Sequence, residues 1–268
     1  MPLVPPWVPD PGAAIDTAHG DAGDGQDAWP GTPAPQPVSP PIIAPVGRFG
    51  PARQSLGRFA RTGAPDDMRR GLGHYTHKGL GGGAAAVRRF GGTMRTARSL
   101  YDALSAVATG RAPAPGSPLD PVILAGRSAQ EVMDAVVEAV RPVDGTLDAE
   151  ASREAIRKAL SELLSRFPEA DLLNLSDEER AFAIENYVAL DVFKRFRLDL
   201  GRTLEAKAPS VLAALGRVRE IREYIKQTVA AAFRKLRATG QALSAGRVGQ
   251  VVRLALRQTF QVFEAYVQ

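Results

Sequence analysis

Apolar residues in the second half of the chain recur at intervals of three and four residues, and this spacing limits the fold more than any other feature. Ile156, Leu160 and Leu163 form one such stripe, and comparable stripes follow toward the C-terminus. Residues at this spacing lie on one face of an α-helix and stabilise it when that face packs against other helices. Aromatic residues make up only 6% of the chain, so the core must consist mainly of aliphatic side chains. We therefore predict an all-α fold with a multi-helix bundle over residues 122–268.

Capping residues and prolines predict where the helices of this bundle begin. Thr146 is a suitable N-cap, and Ser176 with Glu179 has the reciprocal capping pattern. A long helix is predicted from near Pro209, because proline fits the first turn of a helix. The helix that follows Ser176 is apolar on most sides, which favours a central position in the bundle. Further helices are predicted over residues 127–140 and 245–267.

A basic segment, residues 47–111, precedes the bundle. It has twelve basic residues against three acidic ones, and nine glycines fall between residues 63 and 92. Each internal glycine costs a helix about 1 kcal/mol relative to alanine. We predict short or broken helices near residues 53–61 and 66–78 and a more regular one over 93–108. Residues 112–121 contain four prolines and are predicted to be a linker between two domains.

Residues 1–46 have a different composition from the rest of the chain. They hold 12 of the 21 prolines and five aspartates, with no lysine or arginine. Proline blocks helix formation and the polar residues offer little to bury, so this acidic head is predicted to be disordered, with polyproline II stretches. Its first residues are more apolar, and they either form a short peptide that docks into a partner or are ordinary tail composition. This stretch comprises Leu3, Val4, Pro5, Pro6 and Trp7.

Composition excludes several classes of site. The chain has no cysteine, which rules out disulfides and thiolate metal ligands. The sequence has no run of about 18 apolar residues, the length that a membrane helix needs, so no such helix is predicted. A cytoplasmic location is expected. None of the three histidines has a suitable serine or aspartate relay beside it, so we predict no catalytic residues and no enzymatic activity.

Two short motifs could suggest a metal or a cofactor. His74 and His77 would share a helix face, but a metal site needs a third ligand, and solvated polar residues are the preferred interpretation. Gly79-x-Gly81-x-x-Ala84 matches a loose form of the dinucleotide fingerprint. It follows a basic, helix-like segment instead of the strand that the mechanism requires. We predict neither a metal nor a cofactor.

The basic residues of segment 47–111 are the candidates for binding nucleic acid. Arginine and lysine neutralise phosphates, and such binding weakens steeply with salt. The alternatives are a solvated face or a surface complementary to the acidic head or to an acidic partner. The candidate residues are Arg69, Arg70, Lys78, Arg88, Arg89, Arg95 and Arg98.

Several strings of the chain are distinctive in combination. In these strings the sequence is similar to the QatB proteins of the bacterial Qat anti-phage system, and the resemblance runs from the proline-tryptophan head to about Leu236. None of the strings is a catalytic motif. They are Leu3-Val-Pro-Pro-Trp7, Lys78-Gly-Leu-Gly-Gly82, Pro142-Val-Asp-Gly-Thr-Leu-Asp-Ala-Glu-Ala-Ser152 and Tyr187-Val-Ala-Leu-Asp-Val-Phe-Lys-Arg195.

This resemblance implies a role in a complex. Members of the family are encoded beside an ATPase, a QueC-like enzyme and a TatD-like DNase, and these are the implied partners. The expected function is that of a non-enzymatic scaffold or adaptor that presents the flexible head to a partner enzyme. The alternative is a nucleic-acid-binding sensor that uses residues 47–111.

Overall fold

Helices account for all the regular structure in the part of the chain that the computed structural model describes, residues 47–110 and 116–268. A π-helical turn, Tyr75–Gly79, continues the second helix. The predicted all-α fold is confirmed. The α-helices of the described residues are α1 (Gly50–Thr62), α2 (Pro65–His74), α3 (Gly83–Arg89), α4 (Gly91–Ala108), α5 (Pro121–Leu124), α6 (Ala129–Val140), α7 (Leu147–Arg166), α8 (Asp177–Lys207), α9 (Val211–Ala238) and α10 (Val248–Glu264).

The helix starts follow the capping signals of the sequence. The Ser176 hydroxyl accepts a hydrogen bond from the Glu179 backbone N–H at 3.3 Å, and the Glu179 carboxylate accepts one from the Ser176 N–H at 2.7 Å. Thr146 caps α7 in the same way through the Ala149 N–H. Both predicted caps are confirmed. Each one satisfies a backbone donor that would otherwise have no partner in the first turn.

Helix α8 lies at the centre of the molecule, as its apolar composition predicts. It packs between α7 and α9 and also contacts α1 and α4. Tyr187, Val188 and Phe196 are buried along it on different faces. A helix surrounded in this way has little use for a polar face, which explains the dense apolar sequence after Ser176.

Helix α10 joins the end of the chain to the basic segment. It packs against α2, α3 and α4 as well as α9, and the rings of Phe90 and Phe260 are 5.1 Å apart. The described residues therefore share one hydrophobic core. The predicted boundary at residues 112–121 does not separate two cores, because the apolar faces of the basic segment are covered by the last helix.

Glycines of the basic segment mark close contacts between elements. A Cβ on Gly71 would lie 2.7 Å from the Leu56 side chain, and one on Gly73 would lie 2.9 Å from the Phe263 carbonyl oxygen. These glycines let α2 approach α1 and α10 more closely than alanine would allow. The predicted helix near residues 66–78 passes through both glycines as α2 and the π-helical turn, whereas α3, which begins at Gly83, was not predicted.

Within residues 47–110 and 116–268, none of the helices combines the length and the apolar character that crossing a bilayer demands.

Candidate functional site

The seven basic residues predicted to bind nucleic acid do not form one surface. Arg88 and Arg89 are neighbours at the end of α3, yet they line different cavities. Arg88 faces a groove of about 480 Å³ between α3 and α10, together with Arg253 and Arg257. Arg89 lies with Arg95 at a second cavity on the other side of α3. The α3 helix thus divides the predicted patch in two.

The remaining candidates lie apart from both cavities. Arg69 forms an exposed ion pair with Asp66 at 3.2 Å, and Arg98 forms one with Asp102 at 3.6 Å. Arg70 and Lys78 are exposed, and neither lines the two cavities. Leu3, Val4, Pro5, Pro6 and Trp7 lie outside the described residues, as does the whole predicted head.

The second cavity is lined by four arginines, and we name it the arginine lobe. Its volume is about 340 Å³. The arginines reach it from four different places: the last turn of α3, the beginning of α4, the end of α6 and the middle of α8. Its lining residues are Arg89, Gly92, Arg95, Thr96, Ser99, Val140, Arg141, Pro142, Asp148, Ser152 and Arg195.

Arg195 is held rigidly at the edge of this lobe. Its Nε donates to Asp191 Oδ2 at 3.1 Å and its Nη1 donates to Asp148 Oδ2 at 2.9 Å. The guanidinium also lies over the Phe90 ring, 5.4 Å from the ring centre. Burial alone would lower the pKa of Arg195, but the carboxylates of Asp191 and Asp148 outweigh it and raise that pKa. Arg195 therefore stays charged and fixed in place.

The Asp191–Arg195 ion pair lies beneath the arginine lobe, and its carboxylate is fully buried. Asp191 has 0% relative exposure, and Thr93 Oγ1 donates to its Oδ2 at 2.5 Å. Its other oxygen, Oδ1, has no hydrogen-bond partner within the described residues. Next to it, Ser152 Oγ and Tyr187 Oη share a buried hydrogen bond of 2.8 Å. Burial raises the pKa of the Tyr187 phenol, so this hydroxyl stays neutral.

A third cavity, which we name the aspartate lobe, adjoins the arginine lobe and shares Arg89, Asp148 and Arg195 with it. Its volume is about 290 Å³. Tyr75 Oη donates to Asp199 Oδ2 at 3.0 Å. Its remaining lining residues are Arg48, Leu80, Phe90 and Leu198.

The titrating groups of the aspartate lobe are shifted by burial. Burial raises the pKa of the Asp199 carboxyl, although the Tyr75 hydrogen bond and the nearby Arg48 and Arg89 oppose the shift. Burial, followed by the charge of Asp199, raises the pKa of Tyr75. The lobe therefore presents a carboxylate acceptor beside a neutral phenol.

His77, the second histidine of the pair considered above, contacts the end of α10. His77 Nδ1 lies 3.0 Å from Glu264 Oε1, and the other Glu264 oxygen accepts from the Gly83 backbone N–H at 3.1 Å. No group of three residues that could bind a metal occurs in the ranges 47–110 and 116–268. The glycine pattern that begins at Gly79 follows a π-helical turn and not a strand, so the geometry of a dinucleotide loop is missing there.

A family model, described as Qat anti-phage system associated protein QatB, matches residues 81–263. The chain belongs to the QatB family. It is accordingly a component of an anti-phage defence system, as the resemblance implied. The comparisons with curated proteins and with solved structures found no match.

The QatB match includes α3, α4 and every helix that follows, and therefore most of both lobes. Two of the strings that carried the QatB resemblance meet here. Asp148 and Ser152 come from the string 142–152, whereas Asp191 and Arg195 come from the string 187–195. These strings are about 40 positions apart in sequence and in contact in the fold.

Sequence reasoning missed the residues that organise this QatB site. Asp191 and Arg195 are four positions apart, a spacing that is common for exposed helix pairs. The available signal was their position in a helix predicted to be buried on most sides, where a charged pair needs an explanation. Asp148 carried no local signal, because its partner Arg195 lies on another helix.

Proposed function

We propose that this chain is a non-enzymatic scaffold or adaptor subunit of a Qat system, and that its acidic head is presented to a partner enzyme. One observation carries the non-enzymatic part. Two of the buried polar groups are engaged with neighbouring side chains: Asp191 Oδ2 with Arg195 and Thr93, and Tyr187 with Ser152. A catalytic centre instead directs its acid, base or nucleophile toward the space where a substrate binds.

Exposed apolar side chains support the adaptor role. Val211, Leu212 and Leu215 lie in the first turns of α9 with relative exposures of 79%, 81% and 62%. Large apolar residues grouped on a surface are typical of sites of protein contact. The proposed partners are the ATPase, the QueC-like protein and the TatD-like DNase that the family resemblance implies.

Co-purification tests the proposal directly. The full-length chain carrying an affinity tag is co-expressed with the three partners, and we expect it to retain at least one of them through size-exclusion chromatography. Failure to retain any of the three would contradict the adaptor role. As a check on non-enzymatic function, the purified chain is expected to leave ATP and DNA unchanged when its partners are absent.

A single substitution tests the role of the head within the full chain. Trp7→Ala removes the aromatic side chain of the apolar stretch, and Trp29→Ala is the matched control in the same head. We expect Trp7→Ala to weaken partner retention and Trp29→Ala to leave it unchanged. Equal behaviour of the two variants would count against a docking peptide at residues 3–7.

The contribution of the α9 surface is tested in the same assay. Leu212→Lys with Leu215→Lys places charge in the exposed apolar group, and Val122→Lys is the control at another exposed position. We expect the double variant to lose a partner that the control retains.

The alternative function, a nucleic-acid sensor, stays a prediction with weaker support. Three of its seven residues line two cavities, two form exposed ion pairs and two are exposed elsewhere, so they do not provide the continuous phosphate-binding stripe that duplex binding uses. Changing Arg88, Arg89, Arg95 and Arg98 to glutamate would abolish salt-sensitive binding if the sensor role is correct.

A further inference from the structure

We propose that the two adjoining lobes beside Arg195 form a binding site for a nucleoside phosphate, with the phosphate in the arginine lobe and the nucleoside in the aspartate lobe. This inference is independent of the adaptor role.

The arginine lobe has positive charge that the described residues do not neutralise. Arg89 and Arg95 have no ion-pair partner within residues 47–110 and 116–268, whereas Arg141 pairs with Asp144 and Arg195 with two carboxylates. Guanidinium groups on separate helices leave a gap that a multiply charged anion can bridge. Arginine makes strong, often bidentate, hydrogen bonds to phosphate oxygens.

Hydroxyl groups complete the polar lining of this lobe. Thr96, Ser99 and Ser152 are lining residues along with the arginines. Hydroxyls can donate to phosphate oxygens that the guanidinium groups do not reach. Three of the arginines lie on α3, α4 and α8, and Arg141 directly follows α6, so the positions of the helices set the binding geometry.

The aspartate lobe favours a different chemistry. Asp148 and Asp199 are hydrogen-bond acceptors, and a sugar hydroxyl or a base amino group is a suitable donor. Leu198, with 51% relative exposure, adds apolar surface beside them. The lobe also has three arginines in its lining, so its charge is mixed, and its carboxylates provide acceptors for the donor-rich part of a ligand.

The dimensions agree with a ligand of nucleotide size. The lobes measure about 340 and 290 Å³ and share three lining residues, so one ligand can extend across both. Sites for small molecules are typically about 300–1,000 Å³.

Isothermal titration calorimetry of the full-length chain tests the site. The probes are the four ribonucleoside 5′-monophosphates, the matching nucleosides and inorganic phosphate. We expect at least one monophosphate to bind about tenfold or more tightly than its nucleoside and than phosphate alone, since each lobe contributes separately. A 5′-phosphorylated dinucleotide and its unphosphorylated form then show whether the phosphate belongs to a free nucleotide or to the end of a strand.

Matched variants test whether the ligand binds in the two lobes. Arg89→Gln with Arg95→Gln removes the two unpaired guanidiniums, and Arg88→Gln with Arg98→Gln makes the same charge change on the same two helices outside the lobe. We expect the first pair to weaken binding by about tenfold or more and the second to change it by less than about twofold. All four positions are exposed, so both variants should stay folded, and thermal unfolding checks this.

Three results would overturn the proposal. One is that no monophosphate binds at millimolar concentration. Another is that inorganic phosphate binds as tightly as every nucleotide, which would remove the role of the aspartate lobe. The third is that the control pair weakens binding as much as Arg89→Gln with Arg95→Gln, which would indicate general charge attraction.

Discussion

Replacing Arg195 with methionine tests how much the buried ion pair with Asp191 contributes to the free energy of unfolding. Methionine preserves most of the side-chain volume and can still contact the Phe90 ring. The Asp191 carboxylate, with 0% relative exposure, would then keep only the Thr93 hydroxyl as a partner. Removing one partner of a buried pair costs about 3–5 kcal/mol, because the other charge remains buried. The lost contact to Asp148, which is largely exposed, adds less than about 1 kcal/mol.

The same structure predicts that a second substitution rescues the first. Asp191→Asn removes the stranded charge while keeping the shape of the side chain, so the double variant should lose only about 1–2 kcal/mol. The coupling between the two positions should then be at least about 2 kcal/mol. Alone, Asp191→Asn should be milder than Arg195→Met, because Arg195 would still pair with Asp148.

Urea denaturation of the wild type, the two single variants and the double variant gives this coupling. For a unit of this size about 1 kcal/mol shifts the melting temperature by about 2–4 °C, so Arg195→Met should lower it by about 6–20 °C. If the two single effects simply add in the double variant, the buried-pair explanation of the site is refuted.

Three further predictions concern the fold. Gly73→Ala should destabilise the protein by about 1–2 kcal/mol in denaturant titrations, because its Cβ would meet the Phe263 carbonyl oxygen, whereas Gly216→Ala, with open space around it, should stabilise by up to about 1 kcal/mol. Asp199→Asn should raise the melting temperature at pH 7 but not at pH 3. Because the pKa of Asp199 is raised in the folded state, its contribution to stability is most favourable below the unfolded pKa of 3.8. That contribution is lost as pH rises through the folded pKa. Ser176→Ala should cost about 1 kcal/mol by removing the α8 cap, measured in the same titrations.

Much of the helical framework could be predicted because its signals are local. The cap at Ser176, the spacing of Ile156 with Leu160, and the apolar sequence of α8 each depend on residues within a few turns of one another. The α3 helix was missed because the glycines before it, at residues 79–83, predict a break. In the fold these glycines allow close packing and a turn with positive φ at Gly81 and Gly82, and the helix starts directly afterwards.

The two lobes could not be predicted, because the residues that meet in them are distant from one another in sequence. Thr93 and Asp191 are 98 positions apart, and Asp148 and Arg195 are 47 apart. Composition and periodicity indicate which face of a helix is buried, but they do not indicate which helix covers it. Arg89 and Arg95 were named as anion-binding candidates, and the fold alone separates them from Arg88 and Arg98.

The position of α10 has a consequence for how the molecule is made. Helices α2, α3 and α4 pack against a helix that begins only at Val248, so those parts of their apolar surfaces stay uncovered until α10 has left the ribosome. At about 5–20 residues per second, the roughly 160 residues between α3 and α10 take about 8–30 s to synthesise. During that interval the early helices would be open to chaperones or to wrong contacts, and a stop codon shortly before α10 would leave them permanently without their cover.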